Sequence, residues 1–142
     1  MTMRLAVVAV VLGVIAAPAQ PIEELLQLGM RALEAEDFKG AEQMFSELVK
    51  KAPTAENIGY LAIAEAGNGK SAQAITHFRQ AIRMGNNTAI MHQSLGLAYL
   101  SDNKPEPGIR ELKQAYLHAI CLRKNQKKTV HLRHRKYKYD IS

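Results

Sequence analysis

The chain of 142 residues has no tryptophan, one cysteine and few aromatic residues, which make up 6% of the sequence. A single cysteine excludes an internal disulfide bond and a zinc site built from four thiolates. With so few rings, the core has to consist mainly of leucine, isoleucine and alanine. The 47% hydrophobic and 23% charged residues are ordinary for a globular chain, and they exclude a fully disordered, a collagen-like or a polytopic membrane protein. The length has room for one domain.

The net charge of +6 is distributed unevenly along the chain. Residues 20–120 carry ten basic and twelve acidic side chains, whereas residues 121–142 carry eight basic side chains and one acidic side chain. The basic character therefore belongs to the tail. The slightly acidic body has no electrostatic reason to bind nucleic acid.

The first twenty residues have the three parts of a secretory signal peptide. A basic residue precedes a 13-residue apolar run from Leu5 to Ala17, and Ala17-Pro18-Ala19 matches the pattern of a cleavage site. The run is shorter than the roughly 20 apolar residues that span a bilayer, which disfavours the alternative of an uncleaved membrane anchor. We expect residues 1–19 to be removed near Ala19 and the mature protein to be extracytoplasmic, either periplasmic or secreted.

The body of the chain repeats itself at a spacing of 33 and then 34 residues. Leu28-Gly29 aligns with Leu61-Ala62 and Leu95-Gly96, and Phe45 aligns with Phe78 and Leu112. Self-similarity at this period indicates stacked helical units. Each unit holds two stretches with apolar residues at three- and four-residue steps, which predicts a pair of amphipathic helices. In the second and third units we expect these helices near 56–67, 71–84, 89–101 and 106–124.

These residues resemble the pattern of the tetratricopeptide repeat family, in which each 34-residue unit reads W-x2-L-G-x2-Y, then A-x3-F, then P. The first unit, 22–54, supplies Leu28-Gly29, Ala41-x3-Phe45 and Pro53. The second unit, 55–88, supplies Leu61-Ala62 and Ala74-x3-Phe78. The third unit, 89–122, supplies Leu95-Gly96-x2-Tyr99. The resemblance implies an all-α fold. The implied architecture is a tetratricopeptide-type helix-turn-helix solenoid of about six helices in a right-handed superhelix.

Several positions depart from the family pattern. The aromatic residue that is usual early in the first helix is replaced by Leu25, Ile58 and His92 in the three units. Glu65 stands where tyrosine is usual, and Gly108 stands where alanine is usual.

The resemblance also implies a protein-interaction function, because the first helix of each pair lines a concave groove in this family. The partner-binding groove, carried over by position, consists of Leu26, Met30, Leu33, Ile63, Gln93, Leu97 and Leu100. We expect this adaptor or scaffold to bind an apolar peptide or helix of another protein. The alternative is that these side chains only pack against one another, a further helix or a second copy of the chain.

Other reactive residues do not form a recognisable site. The turn Gly67-Asn68-Gly69-Lys70-Ser71 resembles the end of a phosphate-binding loop, but Ala64 stands where the motif needs glycine, and a helix precedes the turn. We expect no enzymatic activity and no cofactor. We expect the scattered histidines His77, His92 and His118 to be surface or packed side chains. We also expect no metal site from His131, His134 and Cys121. Cys121 is expected to be buried on the last helix.

Residues 123–142 form a basic tail without a helical apolar period, and we expect this tail to be disordered. It can act as a solubilising end or contact an anionic membrane or polymer, and the export signal disfavours contact with nucleic acid. The polyanion-contacting residues would be Arg123, Lys124, Lys127, Lys128, Arg133, Arg135, Lys136 and Lys138. No polar capping helix follows the third unit, so self-association through the last helix is a further alternative.

Overall fold

The computed structural model describes the backbone of residues 21–139 and the side chains of residues 21–126. The described chain folds into six α-helices, and each helix packs against the next one along the sequence. This architecture confirms the predicted all-α repeat fold, and the predicted limits of α3, α4 and α5 agree with the structure to within one residue. The helices are α1 (Ile22–Glu34), α2 (Phe38–Lys51), α3 (Ala55–Gly67), α4 (Ser71–Arg83), α5 (Ala89–Ser101) and α6 (Pro105–Tyr139).

Side-chain oxygens cap the start of three helices. Asp37 accepts a hydrogen bond from the amide of Gly40 at 2.9 Å. Thr54 caps α3 and Thr88 caps α5 in the same way, each accepting from the amide three residues later. Such caps satisfy backbone donors that have no partner within the helix, so they fix where each helix begins.

The first helix of each repeat ends in the same kind of turn. Glu36, Gly69 and Asn103 adopt left-handed backbone angles, with φ of 57°, 77° and 54°. The following amide then donates to the carbonyl five residues earlier, as the Schellman motif requires. These bonds run from Asp37 to Ala32 (2.8 Å), from Lys70 to Glu65 (2.8 Å) and from Lys104 to Tyr99 (2.9 Å).

The core consists of two clusters that meet at α3. In the first cluster Phe45 of α2 is fully buried, and its ring stacks on Tyr60 of α3 with 5.4 Å between the ring centroids. In the second cluster Phe78 of α4 is fully buried against side chains of α3 and α5. A Cβ atom added to Gly29 would lie 2.7 Å from the Phe45 ring. The small residue at this position therefore lets α1 and α2 approach closely.

Helix α6 differs from the sequence-based expectation. We expected it to end near residue 124 and a disordered tail to follow, but it continues to Tyr139, so residues 123–139 are helical. No glycine or proline occurs between Ile109 and Tyr139, and this stretch is rich in leucine, lysine, arginine and glutamine, which favour helices. Cys121 is exposed rather than buried, as are all the side chains from residue 121 to residue 126. No helix within residues 21–139 is long and apolar enough to cross a bilayer.

Candidate functional site

A cavity of about 200 Å³ opens between α3, α4 and α5. The Phe78 ring, which is fully buried, and Ala98, which is 3% exposed, contribute to its inner wall. Leu97 also lines the cavity but is 51% exposed, which places it at the edge. The complete lining is Ile63, Ala66, Ser71, Phe78, Ser94, Leu97, Ala98 and Ser101.

Helical periodicity brings the lining residues together. Ser94, Leu97, Ala98 and Ser101 follow one another at steps of three, one and three residues, so they share one face of α5. Ile63 lies on α3, which contacts α5 directly. The site therefore depends on the packing of the second repeat against the third.

The lining combines apolar side chains with three hydroxyl groups and contains no charged residue. Ser71 and Ser101 also border a neighbouring open hollow, which has a volume of about 340 Å³. This hollow is polar, since Lys70, Gln73 and Asp102 contribute to it. The apolar cavity thus opens toward a polar surface at one end.

The charged groups at this polar end are engaged in ion pairs. Lys70 donates from Nζ to Glu42 Oε1 at 2.5 Å, and Asn68 donates to the other oxygen of the same carboxylate at 2.7 Å. These hydrogen bonds, that from Lys70 first, hold the pKa of Glu42 below its ordinary value of 4.5. Lys104 Nζ lies 2.7 Å from Asp102 Oδ2, and this carboxylate raises the pKa of Lys104.

The predicted groove residues fall into two groups in the structure. Ile63 and Leu97 line the cavity, whereas Gln93 is exposed beside it. Leu100, which is 40% exposed, packs near Gly108 of α6. The predicted residues of α1 do not reach the cavity, because they are partly buried against the first core cluster: Leu26, Met30 and Leu33. A binding role for any of these side chains stays a prediction.

The repeat pattern does not predict most of the polar lining of the cavity. Ser94 and Ser101 lie one position after the predicted Gln93 and Leu100, and their seven-residue spacing is a signal that the repeat pattern did not use. Ser71 starts α4, the second helix of its repeat, whereas the family pattern implies a groove lined by first helices. Phe78 was assigned to the core alone, although it also borders the cavity.

Two histidines pair with carboxylates and link the two helices of a repeat. His77 Nδ1 lies 2.7 Å from Glu65 Oε2, and His92 Nδ1 lies 2.6 Å from Glu111 Oε2. His92 Nε2 is also 2.6 Å from Asn87 Oδ1, so both ring nitrogens have partners. These pairs occur at two of the positions that depart from the repeat pattern, and they explain how the departures are accommodated. Among residues 21–126 no group of three or more acidic, histidine or cysteine side chains is placed to hold a metal ion.

Only part of the basic tail can be placed. Arg123 and Lys124 are exposed on α6. The side chains of the other predicted polyanion contacts lie outside the described residues: Lys127, Lys128, Arg133, Arg135, Lys136 and Lys138. The expected signal peptide, 1–19, also lies outside them.

No protein-family model and no curated protein sequence matches the chain, but several solved structures share its fold. The chain is similar to MamA MSR-1 with a TM-score of 0.66 at 19% identity, over 72% of this chain and 59% of that chain. It is similar to MamA 41-end from Desulfovibrio magneticus RS-1 with a TM-score of 0.67 at 16% identity, over 73% of this chain and 59% of that chain. A further structure of MamA gives a TM-score of 0.61 at 20% identity, over 78% of this chain and 62% of that chain.

The chain thus spans about three fifths of the length of these structures. At such low identity the shared property is the fold, and MamA is a tetratricopeptide-like helical-repeat protein. The predicted resemblance is therefore confirmed: this chain has a tetratricopeptide-type helical-repeat fold.

Proposed function

We propose that the protein is a non-catalytic interaction module that holds an apolar segment of another protein in the cavity between α3, α4 and α5. Stacked helical repeats create extended surfaces that suit the binding of other proteins. The observation that carries the proposal is the half-exposed Leu97 beside the buried ring of Phe78, which together offer an open apolar contact.

The size of the cavity favours a side chain over a cofactor. Sites for small molecules usually enclose about 300–1,000 Å³, whereas this cavity has a volume of about 200 Å³. That space suits one or two apolar side chains of a peptide. Because the lining has no charged group, nothing in it would compensate a buried charge on the occupant.

The three serines set a second requirement on the occupant. Ser71, Ser94 and Ser101 can each donate or accept a hydrogen bond, and Ser101 is exposed at the polar end. A peptide backbone supplies both amide donors and carbonyl acceptors for these hydroxyls. An apolar residue within a peptide segment therefore matches the site better than a purely hydrocarbon ligand does.

The proposed place of action is outside the cytoplasm. It rests on the sequence of the first twenty residues, with cleavage near Ala19. The intact mass of the protein from the native host tests this directly: a chain that starts at Gln20 supports export with cleavage, and a chain that keeps Leu5–Ala17 supports the anchor instead.

A peptide-selection experiment tests the binding function. A library of random linear peptides is selected on the chain from Gln20 onward, and the affinities of enriched peptides are then measured for the parent and for Leu97→Glu. We expect enriched peptides to share an apolar residue and to bind the variant at least about tenfold more weakly, because a charge at the cavity edge has no partner there. Met84→Glu, at an equally exposed position at the far end of α4, is the matched control and should bind as the parent does.

Two outcomes would contradict the proposal. The first is that no peptide family is enriched, and the second is that enriched peptides bind parent and Leu97→Glu equally. Removal of residues 121–142 distinguishes binding in the cavity from binding by the basic tail, since binding in the cavity should survive this deletion. Circular dichroism of each variant confirms that the helical fold is retained.

A further inference from the structure

Two apolar side chains of α6 occupy positions that are covered by a helix one repeat earlier. Ile109 and Tyr116 follow Ile75 and Ile82 of α4 by 34 residues each, which is the repeat spacing. Ile75 is 7% exposed and Ile82 packs beside it against the cluster that includes α5. By contrast, Ile109 is 62% exposed and Tyr116 is 66% exposed. The outer face of α6 is thus built like the face of α4 that receives α5.

The exposed face continues along α6 as a row. Lys113, Tyr116, Ile120 and Lys124 follow Ile109 at helical steps of four, three, four and four residues, so they lie on one side of the helix. Leu117, which is 48% exposed, adjoins this row. We call the surface formed by Ile109, Lys113, Tyr116, Leu117, Ile120 and Lys124 the α6 strip.

The charge of the strip has one sign. Lys113 and Lys124 lie within it and are exposed, and Arg110 and Arg123 flank it. The sequence contains no aspartate or glutamate between residues 112 and 139. The preceding acidic residue, Glu111, lies 2.6 Å from His92 and is thereby held toward α5. A partner that covers the strip must therefore bring negative charge as well as apolar side chains.

We propose that the α6 strip docks an acidic amphipathic helix of another protein. Helices α3 and α5 cover the equivalent faces of α2 and α4, so the face that α6 presents has a shape that accepts a helix. Apolar residues of the partner cover Ile109 and Tyr116, while its acidic residues meet Lys113 and Lys124. This docking surface is separate from the cavity between α3, α4 and α5.

A second copy of the chain fits this surface less well. The strip of another copy carries the same cations, so two strips facing each other would repel. The outer face of α1 is acidic, with exposed Glu23, Glu24 and Glu34, but its large exposed apolar side chain is Ile22, the first residue of the helix. It has no apolar row to cover Ile109 and Tyr116.

Designed peptides test the proposal with the chain from Gln20 onward. The probe is a synthetic peptide of about five helical turns with leucines on one face and glutamates beside them. Two controls have the same length: a scrambled version with no leucine face, and a version with lysine in place of glutamate. Fluorescence anisotropy at physiological salt measures the affinity of each peptide.

We expect the acidic amphipathic peptide to bind and both control peptides to bind at least about tenfold more weakly. Tyr116→Glu and Lys113→Glu should each weaken the binding by a similar factor, because one removes an apolar contact and the other reverses a charge. Both residues are exposed, so these variants should keep the fold. Met84→Glu, at an exposed position outside the strip, should leave the affinity unchanged.

Four results would overturn the proposal. Equal binding of the scrambled acidic peptide would show that charge alone is recognised, and no binding up to about millimolar peptide would show that no such helix docks. Concentration-dependent dimerisation in ultracentrifugation that Tyr116→Glu abolishes would assign the strip to a second copy. Binding to vesicles of anionic phospholipid that needs Tyr116, without peptide binding, would assign it to a membrane surface.

Discussion

His92 Nδ1 lies 2.6 Å from Glu111 Oε2, and this pair joins the first helix of the third repeat to its second helix. His92 is 9% exposed and occupies the position where the repeat pattern has an aromatic residue. A polar ring can replace the aromatic one here because Glu111 and Asn87 each lie within hydrogen-bonding distance of one of its nitrogens.

Loss of this ring should weaken the third repeat. His92→Ala leaves Glu111 and Asn87 without their partner, so we expect the free energy of unfolding to fall by about 1–3 kcal/mol. Urea denaturation followed by circular dichroism measures the change. Gln93→Ala, at the exposed neighbouring position, is the control, and an equal midpoint for both variants would contradict the role of the pair.

Phe78 should be one of the most sensitive positions for stability. It is fully buried between the second and third repeats, so Phe78→Ala leaves a void that the neighbouring helices fill only in part. We expect a loss of about 3–5 kcal/mol. Met84→Ala changes a side chain directly after α4 that is 48% exposed, and it should cost far less. A thermal melt of Phe78→Ala that matches the parent would contradict the stacking of the repeats.

The turns at the end of each first helix allow a stabilising substitution. Glu36 has a φ of 57°, which costs a non-glycine residue about 1–2 kcal/mol. Glu36→Gly removes this strain but adds freedom to the unfolded chain, so we expect a net gain of about 0.5–1 kcal/mol. Differential scanning calorimetry measures the change.

Gly69→Ala is the reverse of Glu36→Gly, because it replaces a glycine with a residue that has a Cβ atom at the equivalent turn. Gly69 has a φ of 77° at the equivalent turn, and an added Cβ there would meet no atom within 4 Å. The backbone angle alone should therefore make this variant less stable. If Glu36→Gly is also destabilising, the left-handed turn is not the source of the strain.

The link between Glu42 and the turn before α4 should depend on pH. Hydrogen bonds from Lys70 and Asn68 lower the pKa of Glu42 in the folded state, so the folded protein releases this proton more readily than the unfolded chain. The contribution of these hydrogen bonds to the free energy of unfolding is therefore present at neutral pH. It is lost as the pH falls through the folded-state pKa of Glu42, which lies below 4.5. Because the Lys70 side chain is 43% exposed, we expect Glu42→Gln to cost below about 1 kcal/mol at pH 7.

Urea unfolding of Glu42→Gln and the parent at pH 7 and pH 3 tests the sign of this effect. The difference between the two proteins should shrink at the lower pH. Glu47→Gln, at an exposed position on the same helix, should show no such difference. A gap that widens on acidification would contradict the assignment.

The repeat spacing was sufficient to predict the fold. The equivalence of Phe45 and Phe78 placed both rings in the core, where each is fully buried, and the turn signals located α3, α4 and α5 closely. These features depend on local helix signals and on period, both of which a single sequence contains.

The site was less predictable because it depends on contacts between repeats. The pattern assigned the same binding role to Leu26 and Leu97, yet Leu26 packs against the first core cluster while Leu97 is half-exposed at the cavity. Which of two equivalent side chains is covered depends on how neighbouring helices pack, and the repeat pattern does not contain that information. Apolar periodicity does not predict the length of α6 either, because the apolar stripe ends at Ile120 although helix propensity continues to Tyr139.

Site-specific photo-cross-linking tests the proposed interaction function most directly. A photoreactive phenylalanine analogue replaces Leu97 at the cavity edge in one version of the protein and Met84 at the far end of α4 in another, and both are irradiated in the native host. We predict one discrete protein adduct from position 97 and none from position 84, with the cross-linked residue of the partner lying in an apolar segment. No adduct from position 97, or the same adducts from both positions, would contradict a binding site in this cavity.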